Sequence, residues 1–580
     1  MSPFIVHPGL EPESIEARAY QLQALDESMA GSMLLVLPTA AGKTSVAWMA
    51  IAEKMLENDG WALFIAPTVA LVNQHLENAR EVLQGLEKLR PIALSGQQPV
   101  ESREALWPSS KVVFATPQVV RNDVKRGVLS LEDCKLLIVD EAHHCTGEHA
   151  MAEAAEMYVA QSGSPLVLAT TASPGSRQER IQEICNRLGI QRIHLKTSED
   201  SMLTDHLSEL DVIETKVEVP EEIRSLTKPL LIWQEGIVDS ERRYGRYVLP
   251  GPISHRGLSN AMERAQMAIS RGDSSGYRSM SQIATAMRLH HMINHLLCQG
   301  IAASRQFLRR MHAEENKSKS AKDFLKDRRI SELDRVIDRM DEVHSKVGAV
   351  RRLVSERMRR DRESRIIVFA NYRDTVAVLS EALDGIEGSR VAKFVGQSSK
   401  WGAEGLSSKG QVERLQGFRS GDSNVLVATS VGEEGLDIPS ADLVIFYEPI
   451  SSEIRTIQRR GRTGRRREGE VIVLIAEGTR DEGARAAAAK REVFMHKSVR
   501  RVGRGLPRPH HTDLSNLARF SVDENGSVIS AAEFVLKERD RHNSKLSEAD
   551  ETEVIEISER NLSVSPMNFR PTGQSGLEDF

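Results

Sequence analysis

Two series of short, almost wholly apolar runs, separated by segments of helical period, constrain this chain more than any other feature. The first series is LLVL at 34–37, ALFIA at 62–66, KVVFA at 111–115, KLLIVD at 135–140 and PLVLAT at 165–170. The second is RIIVFA at 365–370, NVLVAT at 424–429, DLVIFYE at 442–448 and EVIVLIAE at 470–477. Runs of this length without polar alternation read as strands covered on both faces, and stretches such as SVAWMAIAEKMLE supply the covering helices. Each series is therefore an α/β parallel-sheet domain. Between 213 and 345 the strand runs disappear, and residues 280–315 read as long amphipathic helix, with Ile283, Met287, His290, Ile293 and Leu297 at three-to-four spacing. The last 70 residues lose periodicity and end in a polar, acidic stretch poor in core material. The expected organisation is an α/β domain at 1–212, a helical insert domain at 213–345, a second α/β domain at 346–510, and a mostly disordered tail at 511–580.

Length bounds the count: 580 residues leave room for about four folding units. Lys and Arg number 77 against 82 Asp and Glu, a net charge of −5, so any polyanionic partner needs a local basic patch. Cys134, Cys145, Cys185 and Cys298 lie far apart without CxxC pairing, which argues against a disulfide framework and for a reducing compartment. No basic leader and no apolar run near the roughly 20 residues of a membrane span occur, so a cytoplasmic location without a membrane partner is expected.

Three motifs carry chemistry. Pro38-Thr39-Ala40-Ala41-Gly42-Lys43-Thr44 follows a strand and opens a helix, the arrangement that cradles a nucleotide phosphate tail. Backbone N–H groups would hold the β-phosphate of ATP, Lys43 would reach the β and γ oxygens, and Thr44 would bind Mg2+. Asp140-Glu141-Ala142-His143 ends KLLIVD, at the carboxyl edge where α/β ligand sites lie. Asp140 would hold the metal through water and Glu141 would orient and deprotonate the attacking water. Gln458-Arg459-Arg460-Gly461-Arg462-Thr463-Gly464-Arg465, in the second series, offers guanidinium groups able to neutralise charge on a γ-phosphate.

DEAH at 140–143, TASPGS at 171–176, VATSVGEEGLDIP at 427–439 and QRRGRTGR at 458–465 occur in the order used by superfamily 2 helicases. With FVGQSS at 394–399 and GLSSKGQ at 405–411, the chain resembles archaeal Hef and the Fanconi anaemia group M helicase over residues 15 to 500. The resemblance implies two RecA-like domains and a DNA-dependent ATPase moving 3′ to 5′. It implies that Gln21 reads adenine, that the P-loop residues Thr39, Ala40, Ala41, Gly42, Lys43 and Thr44 bind nucleotide, and that Asp437 contacts ribose. Thr171, Ser173 and Gln458 would couple hydrolysis to domain movement, and Arg462 and Arg465 would reach the γ-phosphate. Nucleic-acid backbone would touch Thr68, Thr116, Asn371, Arg373, Gln397 and Thr429. The insert is associated, in that family, with branched DNA. Two positions depart from the family: Ala40 replaces its second P-loop glycine, and Val69-Ala70 replaces its Lys-Pro.

No nuclease motif follows residue 510, so the chain reads as a helicase-only form. Gln574, Leu577 and Phe580 fit the Q-x-x-L-x-x-F pattern that resembles the motif for binding the sliding clamp PCNA; in a 3₁₀ turn these residues align on one face. Function is expected on forks or four-way junctions, in association with the nucleoid. A double-stranded RNA-dependent ATPase and an ATP-gated binding scaffold remain the alternatives.

Overall fold

The computed structural model describes residues 2–38, 41–56, 60–197, 199–204, 212–245, 247–314, 318–395, 408–429, 441–449, 470–508, 511 and 513–544. The chain forms two compact units, residues 1–207 with 497–580 and residues 208–496.

The first unit contains β1 (Phe4–Val6), β2 (Met33–Val36), β3 (Trp61–Ile65), β4 (Ile92–Leu94), β5 (Val112–Ala115), β6 (Cys134–Asp140), β7 (Val167–Thr171) and β8 (Arg192–Leu195). Strands β2 to β8 make one parallel sheet in the order β4-β5-β3-β6-β7-β2-β8. Its central strands coincide with the apolar runs, because Leu34, Leu63, Val113, Ile138 and Leu168 are buried between helical layers. The short edge strands β4 and β8 left no such run in the sequence.

The second unit contains β9 (Val212–Val217), β10 (Ile366–Ala370), β11 (Val391–Phe394), β12 (Val425–Thr429), β13 (Leu443–Phe446) and β14 (Glu470–Ala476). They pair in parallel in the order β11-β12-β10-β13-β14-β9. This corrects the boundary expected at 212/213: VIETKV is the edge strand of the second sheet, not the start of the helical insert. Its exposed edge position tolerates Glu214, Thr215 and Lys216, which hid it from an apolar-run criterion.

The described residues of the insert between Glu221 and Arg339 are mostly in a series of separate helices. The expected single long helix is two, Ser275–Cys298 and Ile301–Ala313. The break is at Gly300, whose φ of +106° is a conformation that a Cβ would strain, and a Cβ there would lie 2.6 Å from Glu342 Oε1. That carboxylate accepts from Ile301 N at 3.1 Å and Ala302 N at 2.8 Å, capping the second helix. The buried stripe of the first helix is Ile283, Ala286, Leu289, Ile293 and Leu296, while Met287 and Leu297 flank it.

A buried polar cluster joins this insert to the second sheet. Gln299 Nε2 donates to Glu448 Oε1 at 2.6 Å, Gln299 Oε1 accepts from Thr375 at 2.7 Å, and Tyr447 Oη donates to the Gln299 carbonyl at 3.0 Å. Glu448 Oε2 accepts from Asn371 N at 3.0 Å. Lys346 donates to the Tyr447 carbonyl at 2.7 Å and to Asp481 at 2.6 Å, with its side chain wholly buried.

The tail expected from 511 is corrected too. β15 (Ser521–Glu524) and β16 (Ser527–Ser530) form an antiparallel hairpin that pairs with β1, and a helix follows over 531–544. Phe520 stacks on His7 with ring centroids 4.1 Å apart, and Val522, Phe534 and Val535 join the core of the first unit. Asn525 and Gly526, with φ of 57° and 90°, make the two-residue turn, and Asn-Gly is the residue pair such turns favour. Residues 545–580, including Gln574, Leu577 and Phe580, lie outside the described residues.

Burial pushes the Glu448 carboxyl up from 4.5 to about 7, against the opposing pull of Lys346 and the donors from Gln299 and Asn371. A raised folded-state value contributes stability below the unfolded pKa that is lost as pH rises through the folded one. The stability of this chain is therefore expected to fall between about pH 4.5 and 7 through this group, by an amount on the order of 3 kcal/mol. Glu448→Gln should flatten that slope in chemical unfolding followed across the same window.

Candidate nucleotide and nucleic-acid sites

In a parallel sheet every strand ends at the same edge, and the order of the first sheet makes β6, β7 and β2 neighbours. Val36 pairs with Thr171 and Asp140 with Thr170, so the loop after β2, the Asp140-Glu141 pair and the Thr171–Ser173 loop share one edge. One strand, β7, intervenes between the P-loop strand and β6.

The P-loop is braced from the helix Ala19–Met29. Tyr20 Oη and Gln21 Nε2 both donate to the Ala41 carbonyl, at 2.9 and 3.0 Å. Gly42 has φ of +79°, a conformation that favours glycine, and a Cβ there would lie 2.0 Å from Gln21 Nε2 and displace that amide. Lys43 Nζ donates to the Leu37 and Pro38 carbonyls at 3.2 and 3.4 Å, and Thr44 lies in the first turn of the helix Lys43–Leu56. Gln21 is 2% exposed, yet its Oε1 has no hydrogen-bond partner among the described residues. Thr39 and Ala40 lie outside the described residues.

Asp140 Oδ1 accepts from Thr170 at 2.8 Å and Oδ2 bonds His75 Nε2 at 3.0 Å. Burial alone would raise this carboxyl, but His75, Thr170 and the Lys43 charge together hold it below the ordinary carboxylate value. It is thus kept ionised, as a metal ligand must be. Glu141 has φ of +54° and ψ of +50°, a left-handed conformation rare outside glycine and asparagine, and the chain turns there directly into a short helical turn. His143 Nδ1 is 3.3 Å from Glu141 Oε2 and 3.3 Å from Thr171 Oγ1, and Thr171 Oγ1 in turn accepts from Ser173 N at 3.2 Å. A continuous chain of contacts thereby links Glu141 to Ser173.

His75 escaped the sequence reading. It lies on the buried face of the helix Val69–Val82 with Leu71, Val72 and Ala79, and its ring packs 4.4 Å from Phe64. The available signal was a polar residue at i+3 and i+4 within an apolar stripe.

The expected nucleic-acid residues fall at strand ends. Thr68 and Thr116 follow β3 and β5 as helix N-caps; the Thr68 hydroxyl accepts from Leu71 N at 3.3 Å, and Thr116 is buried. In the second sheet Thr429 ends β12 opposite Ala370, so it neighbours the exposed Asn371 that follows β10, and Arg373 opens the helix Arg373–Asp384. Gln397, Asp437, Gln458, Arg462 and Arg465 lie outside the described residues.

Comparison with known proteins agrees with this geometry. The family described as "DEAD/DEAH box helicase" matches residues 18–181 and "Helicase conserved C-terminal domain" matches 345–467. "Putative ATP-dependent RNA helicase, helical bundle" matches 248–343. The crystal structure of the Pyrococcus furiosus Hef helicase domain superimposes with a TM-score of 0.60 at 34% identity, covering 81% of this chain and 98% of that one. The chain belongs to the Hef-type superfamily 2 helicases. "Putative ATP-dependent RNA helicase MJ1505" of Methanocaldococcus jannaschii is 34% identical over 86% of this Hef-type chain and 62% of its own length. An ATP-dependent DNA helicase, mph1, of Neurospora crassa is 30% identical over 80% of this chain and 41% of its own length. The chain thus spans less than two thirds of either relative.

ATP with Mg2+ fits the residues present: a buried Gln21 oxygen with no donor among the described residues, a glycine at positive φ, a lysine directed at neutral carbonyls, and an ionised aspartate. Removing the Asp140 hydrogen bond with His75→Ala is expected to weaken the Mg2+ dependence of nucleotide binding about 10- to 100-fold. Mg2+ titration of a fluorescent ATP analogue checks this, and affinity without the metal should change little.

Proposed function

We propose that this chain is an ATP-dependent DNA helicase or translocase acting on forked or branched DNA, in fork repair and restart. The observation that carries the reading is the shared edge of β6, β7 and β2 in a chain that matches the Hef helicase domain along nearly its whole length. Lys43 holds the phosphate tail of ATP, and Gln21 presents an oxygen that has no donor among the described residues to a donor such as the adenine amino group. Thr44 and Asp140 would hold Mg2+, which would supply neutralisation of phosphate charge. Glu141 accepts the proton of the attacking water, and the contacts through His143 to Thr171 and Ser173 carry the resulting change to the neighbouring loop. Asp437 would contact ribose, and Arg462 and Arg465 of the second domain would complete the charge neutralisation; Gln458 would take part in coupling. Thr68, Thr116, Asn371, Arg373, Gln397 and Thr429 would touch the nucleic-acid backbone, which positions a strand without reading its sequence.

The second reading, an RNA-dependent ATPase, is favoured by the match of 248–343 to a helical bundle named for an RNA helicase. ATPase rates with single-stranded DNA, forked DNA and duplex RNA as activators decide between them; strongest activation by forks is expected. The sequence pattern at Gln574, Leu577 and Phe580 supports recruitment by PCNA, and with it a location at replicating DNA in the nucleoid.

Lys43→Ala and Glu141→Gln are both expected to abolish turnover with the fold intact, since neither side chain is core. They should differ in binding: Glu141→Gln retains ATP, whereas Lys43→Ala weakens its affinity, as nucleotide titration reads directly. A C-terminal peptide carrying residues 574–580 is expected to release heat on mixing with the clamp. The Leu577→Ala, Phe580→Ala peptide is expected to release none.

A further inference from the structure

The arginine pairs of the helical insert are largely spent on internal partners. Arg309 pairs with Asp338 at 2.7 Å, Arg328 with Glu332 at 2.8 Å and Arg329 with Asp327 at 2.8 Å, and Arg310 bonds Asp374. A different segment carries charge that no acidic neighbour in sequence offsets. No Asp or Glu occurs between Glu492 and Asp513, in a chain whose net charge is −5.

Within that stretch Lys497, Arg500, Arg501 and Arg504 recur at i, i+3, i+4 and i+7, the spacing of one helix face, in the last two turns of the helix Arg480–Arg504. All four are exposed, and none has an ion-pair partner among the described residues. The opposite face is anchored on the first unit. Val499 and Val502 are buried, a Cβ on Gly503 would lie 3.7 Å from Ile193, and Ser498 Oγ donates to the Ser176 carbonyl at 2.9 Å. Just beyond, Arg508 N donates to the Gln191 carbonyl at 3.1 Å. The cations therefore project from a fixed support, and Ser176 belongs to the loop that follows Thr171 and Ser173.

We propose that the face formed by Lys497, Arg500, Arg501 and Arg504 is a docking surface for the phosphate backbone of duplex nucleic acid, separate from the helicase motifs. It rests on the reading of the chain as acting on nucleic acid. The four residues span about 10 Å of helix axis, and duplex DNA presents one phosphate charge per roughly 1.7 Å, so several phosphates lie within reach of one face. Three of the four are arginines, whose planar fork bonds two phosphate oxygens at once. The support is shared with the loop after Thr171, so a duplex held here bears on the same segment that Glu141 reaches through His143.

The test is the salt dependence of binding by the full chain to a forked DNA and to a duplex RNA, read by fluorescence anisotropy. Replacing all four residues, as Lys497→Gln, Arg500→Gln, Arg501→Gln and Arg504→Gln, should reduce the slope of log affinity against log salt by about 0.9 for each phosphate that is no longer neutralised, or about 2 to 4 altogether. ATPase activity without nucleic acid should stay at the wild-type level, which shows the fold is kept. An unchanged slope overturns the proposal. So does an equal decrease on neutralising the paired Arg309 and Arg328 instead, because the slope would then follow net charge and not this face. If the intact chain binds neither ligand, the nucleic-acid reading itself fails; if it binds and the variant binds equally, only this surface fails.

Discussion

The parallel register of β6, β7 and β2 is the constraint on which the candidate site depends. Asp140 is opposite Thr170 and Val36 opposite Thr171. Successive strand residues project to opposite faces, so Thr170 can bond Asp140 while Thr171 meets His143 on the other side. A slip of one residue in β7 would place Ala169 or Thr171 opposite Asp140 and break the Thr170–Asp140 and Thr171–His143 contacts. The apolar cores that flank the sheet forbid the slip, since it would turn Leu168 and its neighbours toward the wrong layer. Site geometry is thus inherited largely from packing, with positive-φ turns at Gly42 and Glu141 as local devices.

Buried polar groups fix what apolar packing leaves open. In the first unit Arg103 forks onto Asp123 at 2.8 and 2.7 Å, and Trp107 Nε1 adds a third donor at 3.0 Å. Asp123 belongs to the helix Pro117–Lys125 that follows Thr116, so this pair ties that helix to Arg103 and Trp107. In the second unit Gln299 and Glu448 do the equivalent work: an apolar seam between insert and sheet would permit sliding, whereas an amide and a carboxylate bonded on both sides permit one alignment. Breaking one partner of such a cluster leaves a buried group unsatisfied, which is costlier than replacing the whole cluster by hydrocarbon.

What was legible in the sequence follows the same division. The central strands were visible because both their faces are covered, and the P-loop and DEAH residues were visible because phosphate and metal chemistry fixes residue type and spacing. Edge strands were not: β9 keeps polar residues on its open side, and β15 and β16 make a sheet with only β1, within a segment too polar to register as core. Asn525-Gly526 was a readable hairpin signal that general loss of periodicity obscured. Gln299-Gly300 broke an otherwise continuous helical pattern, and only the pairing of Gly300 with Glu342 and of Gln299 with Glu448 explains why it must break there. His75 could be seen as an intruder in an apolar stripe, but its partner, 65 residues away, could not.

The P-loop is held together by bonds that a nucleotide could replace with stronger ones. Lys43 is bonded to two neutral carbonyls at 3.2 and 3.4 Å, longer than the bonds an ammonium makes to ionised oxygen. The Gln21 oxygen is buried with no donor among the described residues, and a buried oxygen left without one costs about 1–3 kcal/mol. Both ends improve together when a ligand brings anionic oxygens to the loop and a hydrogen-bond donor to the glutamine. The two demands lie at opposite ends of one molecule when that molecule is a purine nucleotide carrying a donor on its base. Gln21 Nε2 and Tyr20 Oη both donate to the Ala41 carbonyl, so the glutamine is joined to the loop through a single peptide group. Gly42, at φ of +79°, follows that peptide directly.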